Sequence, residues 1–195
     1  MFAPGLILSA FAASSLASAI PRSQGSVLDT RMMTTELSIL AQFEFAPYEL
    51  TNICLDCKRP NATANYGCEV KFDWHDPNSV RQNNVSSCAC QYSWTWDGVS
   101  VIGGDSDGSD VPYETCWKDE RTYFEMALVT FEQPGNFTLK LAHHYKDSEN
   151  FTAPWEYPTT FSRPNILLPV VDKTENQITL FTEGVVNGTI NGISN

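Results

Sequence analysis

Two stretches of this chain alternate between apolar and polar residues with a period of two, and both carry cysteines inside the alternation. In CEVKFDW, Cys68, Val70, Phe72 and Trp74 fall on one side, while Glu69, Lys71 and Asp73 fall on the other. The pattern returns from Cys88 to Asp97, where Cys88, Cys90, Tyr92, Trp94 and Trp96 face one way and Ala89, Gln91, Ser93, Thr95 and Asp97 the other. Successive side chains of a strand point to opposite faces, so each stretch predicts a strand buried on one side. A helix would scatter the same residues around its circumference.

The rest of the chain reads the same way. Arg121 to Glu132 is apolar on both faces and suits a central strand covered on both sides, with a helix as the lesser alternative. Gln133-Pro134-Gly135-Asn136 then supplies turn chemistry, proline presetting φ and glycine accepting a positive φ. Phe137 to Tyr145 alternates again, and the two segments predict a β-hairpin. Further strands are expected at Leu37 to Phe45, Asn165 to Val171 and Gln177 to Phe181, with no amphipathic helix of three turns anywhere. Short strands separated by Pro, Asn, Asp and Gly predict an all-β fold, a single compact antiparallel β-barrel or β-sandwich stapled by disulfides. Its span is residues 34–183, between a flexible amino-terminal segment at 20–33 and a flexible tail at 184–195.

The compartment follows from three features. Residues 1–19, MFAPGLILSAFAASSLASA, form a signal peptide: the apolar run is too short to anchor in a bilayer, and Ala17-Ser18-Ala19 fits the small-x-small cleavage site. No later run is long and apolar enough for a spanning helix, and the carboxyl end lacks the hydrophobic tail of a lipid-anchor signal. Behind the leader come six cysteines, Cys54, Cys57, Cys68, Cys88, Cys90 and Cys116, an even number that reads as disulfides. Zinc is disfavoured because Cys88-x-Cys90 is too tight a partner for Cys54-x-x-Cys57, and a redox role because Leu50 to Asn65 shows no helical period. Two residues apart on one strand, Cys88 and Cys90 point in parallel from Cα atoms ~6.6 Å apart and cannot bridge each other. The remaining pairings stay open. Five N-glycosylation sequons, at Asn61, Asn84, Asn136, Asn150 and Asn187, mark expected surface positions.

Function is approached by exclusion. Twelve Lys and Arg against 23 Asp and Glu give a net charge of -11, and without a cationic cluster nucleic acid is not a partner. There is no Gly-x-Ser-x-Gly elbow, no His-Glu-x-x-His, no phosphate-cradling glycine loop, and no histidine at the start of the mature chain. His143 and His144 fall on opposite faces of their strand, so they cannot hold one metal together, whereas His75 beside Asp76 is the better base candidate, with no nucleophile placed next to it. Gly103 to Asp110 is rich in Asp but lacks the spacing of a calcium loop, and reads as an acidic connection. Trp94 and Trp96 share the face of Cys88 and Cys90 and read as core rather than as a sugar-stacking platform. No catalytic residue, metal or cofactor is expected.

The tract FTLKLAHHYKD from Phe137 to Asp147, followed by APWEY from Ala153 to Tyr157 and by Phe161, resembles the Alternaria major-allergen-like family of small secreted fungal proteins. The order Cys68, then the Cys88 strand with Trp94, then Cys116-Trp117 contributes to the likeness, which spans Leu37 to Val171. The resemblance implies a compact disulfide-bonded β-barrel without catalysis, acting as an effector or elicitor at a host surface, sometimes as an allergen. The family pattern has two bridges, against six cysteines here. Together these readings predict a secreted, non-catalytic binding protein whose partner is a host protein or a cell-wall polysaccharide and whose binding surface lies on residues 52–65 and 99–114. The alternative is a carbohydrate-binding module or glycoside-active enzyme, which would need Trp94, Trp96, Trp117 or Trp155 exposed in a row, or two carboxylates converging in a cleft.

Overall fold

The computed structural model describes residues 43–79, 82–102 and 111–194. The signal peptide expected at residues 1–19, the segment at 20–33 and the stretch Gly103 to Asp110 lie outside the described residues. The chain folds as a β-sandwich of two six-stranded antiparallel sheets. The first sheet has the order β3-β2-β1-β10-β9, with β11 pairing to the start of β1. Its strands are β1 (Tyr48–Lys58), β2 (Tyr66–His75), β3 (Ser87–Trp96), β9 (Val170–Lys173), β10 (Gln177–Thr182) and β11 (Val186–Gly188). The second has the order β12-β7-β6-β5-β4, with β8 pairing to β6. It comprises β4 (Glu114–Lys118), β5 (Tyr123–Gln133), β6 (Asn136–His144), β7 (Thr159–Ser162), β8 (Asn165–Leu167) and β12 (Ile190–Ser194).

The alternating stretches form strands as expected. Val70, Phe72 and Trp74 on β2 are buried, as are Cys90, Trp94 and Trp96 on β3. They meet the inward residues of the second sheet, with Trp74 edge-on to Phe124 at 4.9 Å and Trp94 edge-on to Phe131 at 5.0 Å. Edge-to-face packing of this kind adds about 0.5–1.5 kcal/mol per pair beyond area burial. The β5–β6 hairpin turns at Gln133–Asn136, with Gly135 at φ +92°.

Four expectations are corrected. Residues 52–58 are not a loop but the second half of β1, which lies between β2 and β10. The alternation there is hidden by a bulge: Tyr48 and Leu50 point inward, the register slips between Thr51 and Cys54, and Ile53, Leu55 and Cys57 then take the inward positions. Asn52 absorbs the slip at φ 51°, a conformation asparagine tolerates better than most residues, and its Nδ2 donates to Asp73 Oδ2 at 2.7 Å. The stretch Asn165 to Val171 is two strands in different sheets, because Pro169 breaks the ladder where the chain crosses over. Residues 184–194 are not a tail: β11 and β12 add to the two sheets in turn, and Gly188 fits because a Cβ would stand 2.9 Å from Ser162 Oγ. Residues 43–45 of the strand expected at Leu37 to Phe45 are unpaired, with the Phe43 ring 4.9 Å from that of Phe151, and residues 37–42 lie outside the described residues.

The sandwich has two distinct ends. Lys58, Gly67, Trp96 and Gln177 lie at one, together with the β5–β6 turn. Tyr48, His75, Ser87 and Gly188 lie at the other.

Candidate functional site

The cysteines are placed by the two faces of the first sheet. Cys57 and Cys68 stand directly opposite on β1 and β2 and form a disulfide within the sheet. Cys90 on β3 bridges Cys116 on β4, tying one sheet to the other. Contrary to the expectation of three bridges, Cys54 and Cys88 are free thiols. After the bulge Cys54 projects from the outer face of β1, whereas Cys88 shares the inward side of β3 with Cys90, so the sheet stands between the two thiols. Cys88 Sγ lies 3.8 Å from Cys90 Sγ without a bond, as the parallel side chains require. Burial, and secondarily the Asp73 charge, push the Cys88 thiol up to about 12.

At the His75 end the polar residues do not assemble as expected. His75 Nδ1 contacts Ser87 Oγ at 2.8 Å and the Ser86 carbonyl at 3.2 Å. Asp76 turns instead toward the second sheet, where its Oδ2 lies 2.7 Å from Nδ1 of His143. Asp76 Oδ1 accepts from the backbone N–H and the side-chain amide of Asn78, at 2.9 and 2.7 Å. On the far side of the ring, His143 Nε2 lies 2.8 Å from Thr122 Oγ1. The Thr122 hydroxyl donates to the His144 carbonyl at 2.7 Å, so its oxygen accepts from Nε2, which therefore carries a hydrogen. Chain order aside, Thr122, His143 and Asp76 have the contact pattern of a nucleophile, base and orienting acid. All three are fully buried, and the threonine proton is already committed to a carbonyl. The trio consequently acts as a polar bolt between the sheets: no substrate reaches it in this fold.

His144, on the opposite face of β6 as expected, sits between the rings of Tyr123 (4.5 Å) and Tyr157 (5.7 Å), nearly parallel to both. Burial, then the neighbouring His143 and Lys118, lower its pKa. Trp94 and Trp96 are core residues and form no exposed platform; Trp117 is half-buried and Trp155 is 58% exposed.

Each end of the sandwich carries a concave feature. A small polar cleft of about 170 Å³ near Asp76 is lined by Asn78, Gln82, Lys146 and Asp147. A larger one of about 590 Å³ opens at the Trp96 end. Trp96 and Ile178, both nearly buried, contribute to its lining, along with Val99, Pro134 and Val170, while Glu132 and Lys173 add one charge of each sign. Val99 is 81% exposed and Val170 54% exposed, and the neighbouring Leu167, Val171 and Ile102 are exposed as well. Of the two segments expected to carry a binding surface, residues 99–102 lie here, and residues 52–58 are strand.

Four sequon asparagines, Asn61, Asn84, Asn150 and Asn187, are exposed, while Asn136 is half-buried. Among the described residues no helix is long and apolar enough to cross a membrane. Comparison of this chain with protein families, characterised proteins and solved structures found no match.

Proposed function

We propose that this chain is a secreted, non-catalytic binding protein, effector- or elicitor-like, acting on a host or cell-wall component, and that it meets its partner at the Trp96 end of the sandwich. The observation that carries the reading is the cleft of mixed lining there: Val99 and Val170 stand exposed beside an opening that reaches core residues Trp96 and Ile178. Exposed apolar groups gathered around a cavity of ligand size favour association, because burying them against a partner is worth roughly 25 cal/mol per Å². The rigid sheets beneath hold the connecting segments that form the cleft. Secretion is supported by the leader at residues 1–19 and by two disulfides, which persist in oxidising compartments. The effector-like role draws on the family resemblance.

The test uses protein harvested from culture medium and incubated with plant or fungal wall material. Wild-type protein is expected to be retained and the double variant V99D/V170D released, with both melting at the same temperature. Equal retention of the two, or retention of neither, refutes the assignment.

A further inference from the structure

The five sequons are equivalent as sequence, but the fold separates them. Asn61 lies exposed in the turn between β1 and β2, where its Oδ1 accepts from the Thr63 hydroxyl at 2.8 Å and from the Thr63 N–H at 3.1 Å. Asn84 precedes β3, Asn150 lies in the β6–β7 connection and Asn187 on the short strand β11, and all three are exposed toward the Asp76 end. The Asn150 amide also donates, to Asp147 Oδ2 at 2.8 Å, but from an exposed side chain in a connection. Asn136 differs from all four in its burial and its strand pairing. It is the first residue of β6, half-buried and paired on both sides, to Gln133 of β5 and to Leu167 of β8. Its Nδ2 donates to Glu132 at 2.6 Å, and the hydroxyl of its sequon threonine, Thr138, donates to Asn165 at 3.3 Å. Glu132, Gln133 and Pro134 of the same hairpin line the cleft at the Trp96 end. An oligosaccharide on Asn136 would stand at the rim of that opening.

We infer that Asn61, Asn84, Asn150 and Asn187 carry N-linked oligosaccharides and that Asn136 stays bare, which keeps the rim of the cleft clear. Each transfer joins Nδ2 to the anomeric carbon of an oligosaccharide and breaks that carbon's bond to a lipid pyrophosphate donor; the lipid pyrophosphate and one amide proton leave. A tight local hairpin closes in about 1–10 μs, so the Asn136 sequon enters paired strand early, and β8 and the finished sheet then hold it there. The four exposed asparagines keep room for a sugar in the finished fold.

The inference rests on the secretory part of the proposed function, and the experiment separates the two. The full chain is expressed in a eukaryotic host both with its own leader and with a heterologous one, so that failure of the native leader bears on secretion alone. Enzymatic removal of the oligosaccharides in ¹⁸O water converts each occupied asparagine to a labelled aspartate. Label is expected at Asn61, Asn84, Asn150 and Asn187 and not at Asn136; Asn150→Gln loses one step of gel mobility, and Asn136→Gln none. Label at Asn136, or an empty site among the other four, overturns the inference.

Discussion

Nδ1 of His143 lies 2.7 Å from Oδ2 of Asp76, a contact that joins the residue after β2 in one sheet to β6 in the other. Both side chains are buried, and each of their remaining polar atoms has a partner in Asn78 or Thr122. Removing hydrogen-bonding side chains of this kind from water is costly, and the cost is offset only when the geometry is good and the leftover hydrogen-bonding positions are filled. Both conditions hold here, which makes the pair a specific lock for the alignment of the sheets.

Breaking one side of the lock leaves the other buried without a partner. Asp76→Asn and His143→Ala are each expected to lower the unfolding free energy by about 3–5 kcal/mol, and Thr122→Val by about 1–3 kcal/mol. Urea titration followed by tryptophan fluorescence measures all three. If Asp76→Asn unfolds at the wild-type midpoint, the contact contributes nothing and the lock is disproved.

The same end of the sandwich sets an alkaline limit. The Tyr48 hydroxyl donates to the Thr160 carbonyl at 2.8 Å in the core, and burial, then the Asp76 charge, raise its pKa well above the ordinary 10.0. Tyr145 is raised too, by burial and then by Asp76 and Asp147. Since the folded state holds these protons more tightly than the unfolded chain, their contribution to stability is intact below about pH 10 and falls as pH climbs toward the folded values. Difference absorbance at 295 nm is expected to show two tyrosines that ionise only on unfolding, and stability is expected to drop above about pH 10. Full ionisation of every tyrosine in a still-folded protein would contradict the placement of Tyr48 and Tyr145.

The sequence shows the sandwich wherever one face of a strand is buried and the period stays in phase, as in β2 and β3, and it shows the β5–β6 hairpin through an apolar run, a Pro-Gly turn and the alternation after it. It hides β1 because the bulge at Asn52 moves the inward set from Tyr48 and Leu50 to Ile53, Leu55 and Cys57, so no single alternation spans the strand. The strands β11 and β12 are hidden for another reason: they are short and rich in Asn and Gly, and what holds them is pairing to β1 and β7 rather than a pattern of their own. The buried trio is legible only in part. Period two places His143 on the inward face, but its partners come from the ends of other strands, Asp76 and Thr122, and proximity in sequence favours the wrong histidine, His75. The cleft is legible only in part: the segment expected at 99–114 supplies Val99, whereas the β5–β6 turn and the strands β9 and β10 that complete the lining are far from it in sequence.

Gly135 gives a sharp test of the hairpin beside that cleft. At φ +92° an L side chain is strained, and a Cβ would come 2.6 Å from the Leu168 carbonyl oxygen and 2.8 Å from Leu180 Cδ2. Gly135→Ala is therefore expected to destabilise the fold by roughly 1–3 kcal/mol through backbone strain alone, with more from the clash. Thermal unfolding checks it, and an unchanged melting temperature would mean that the turn takes another form.

The two thiols differ in what surrounds them, and that difference is measurable. Cys54 projects from the outer face of β1 beside Lys71, whereas Cys88 faces inward against the Cys90–Cys116 disulfide with its thiol held neutral by burial. Only the thiolate is nucleophilic, so at pH 8 Cys88 is expected to react with a maleimide at least tenfold more slowly than Cys54, until denaturant exposes both. Peptide mapping of the alkylated protein then returns Cys57–Cys68 and Cys90–Cys116 as the bridged pairs. Removal of the second pair by Cys90→Ala with Cys116→Ala is expected to cost about 2–5 kcal/mol, because that bridge is the disulfide that crosses from one sheet to the other. Recovery of a Cys54 or Cys88 bridge from freshly harvested protein would show that the sheet does not separate the two thiols as described.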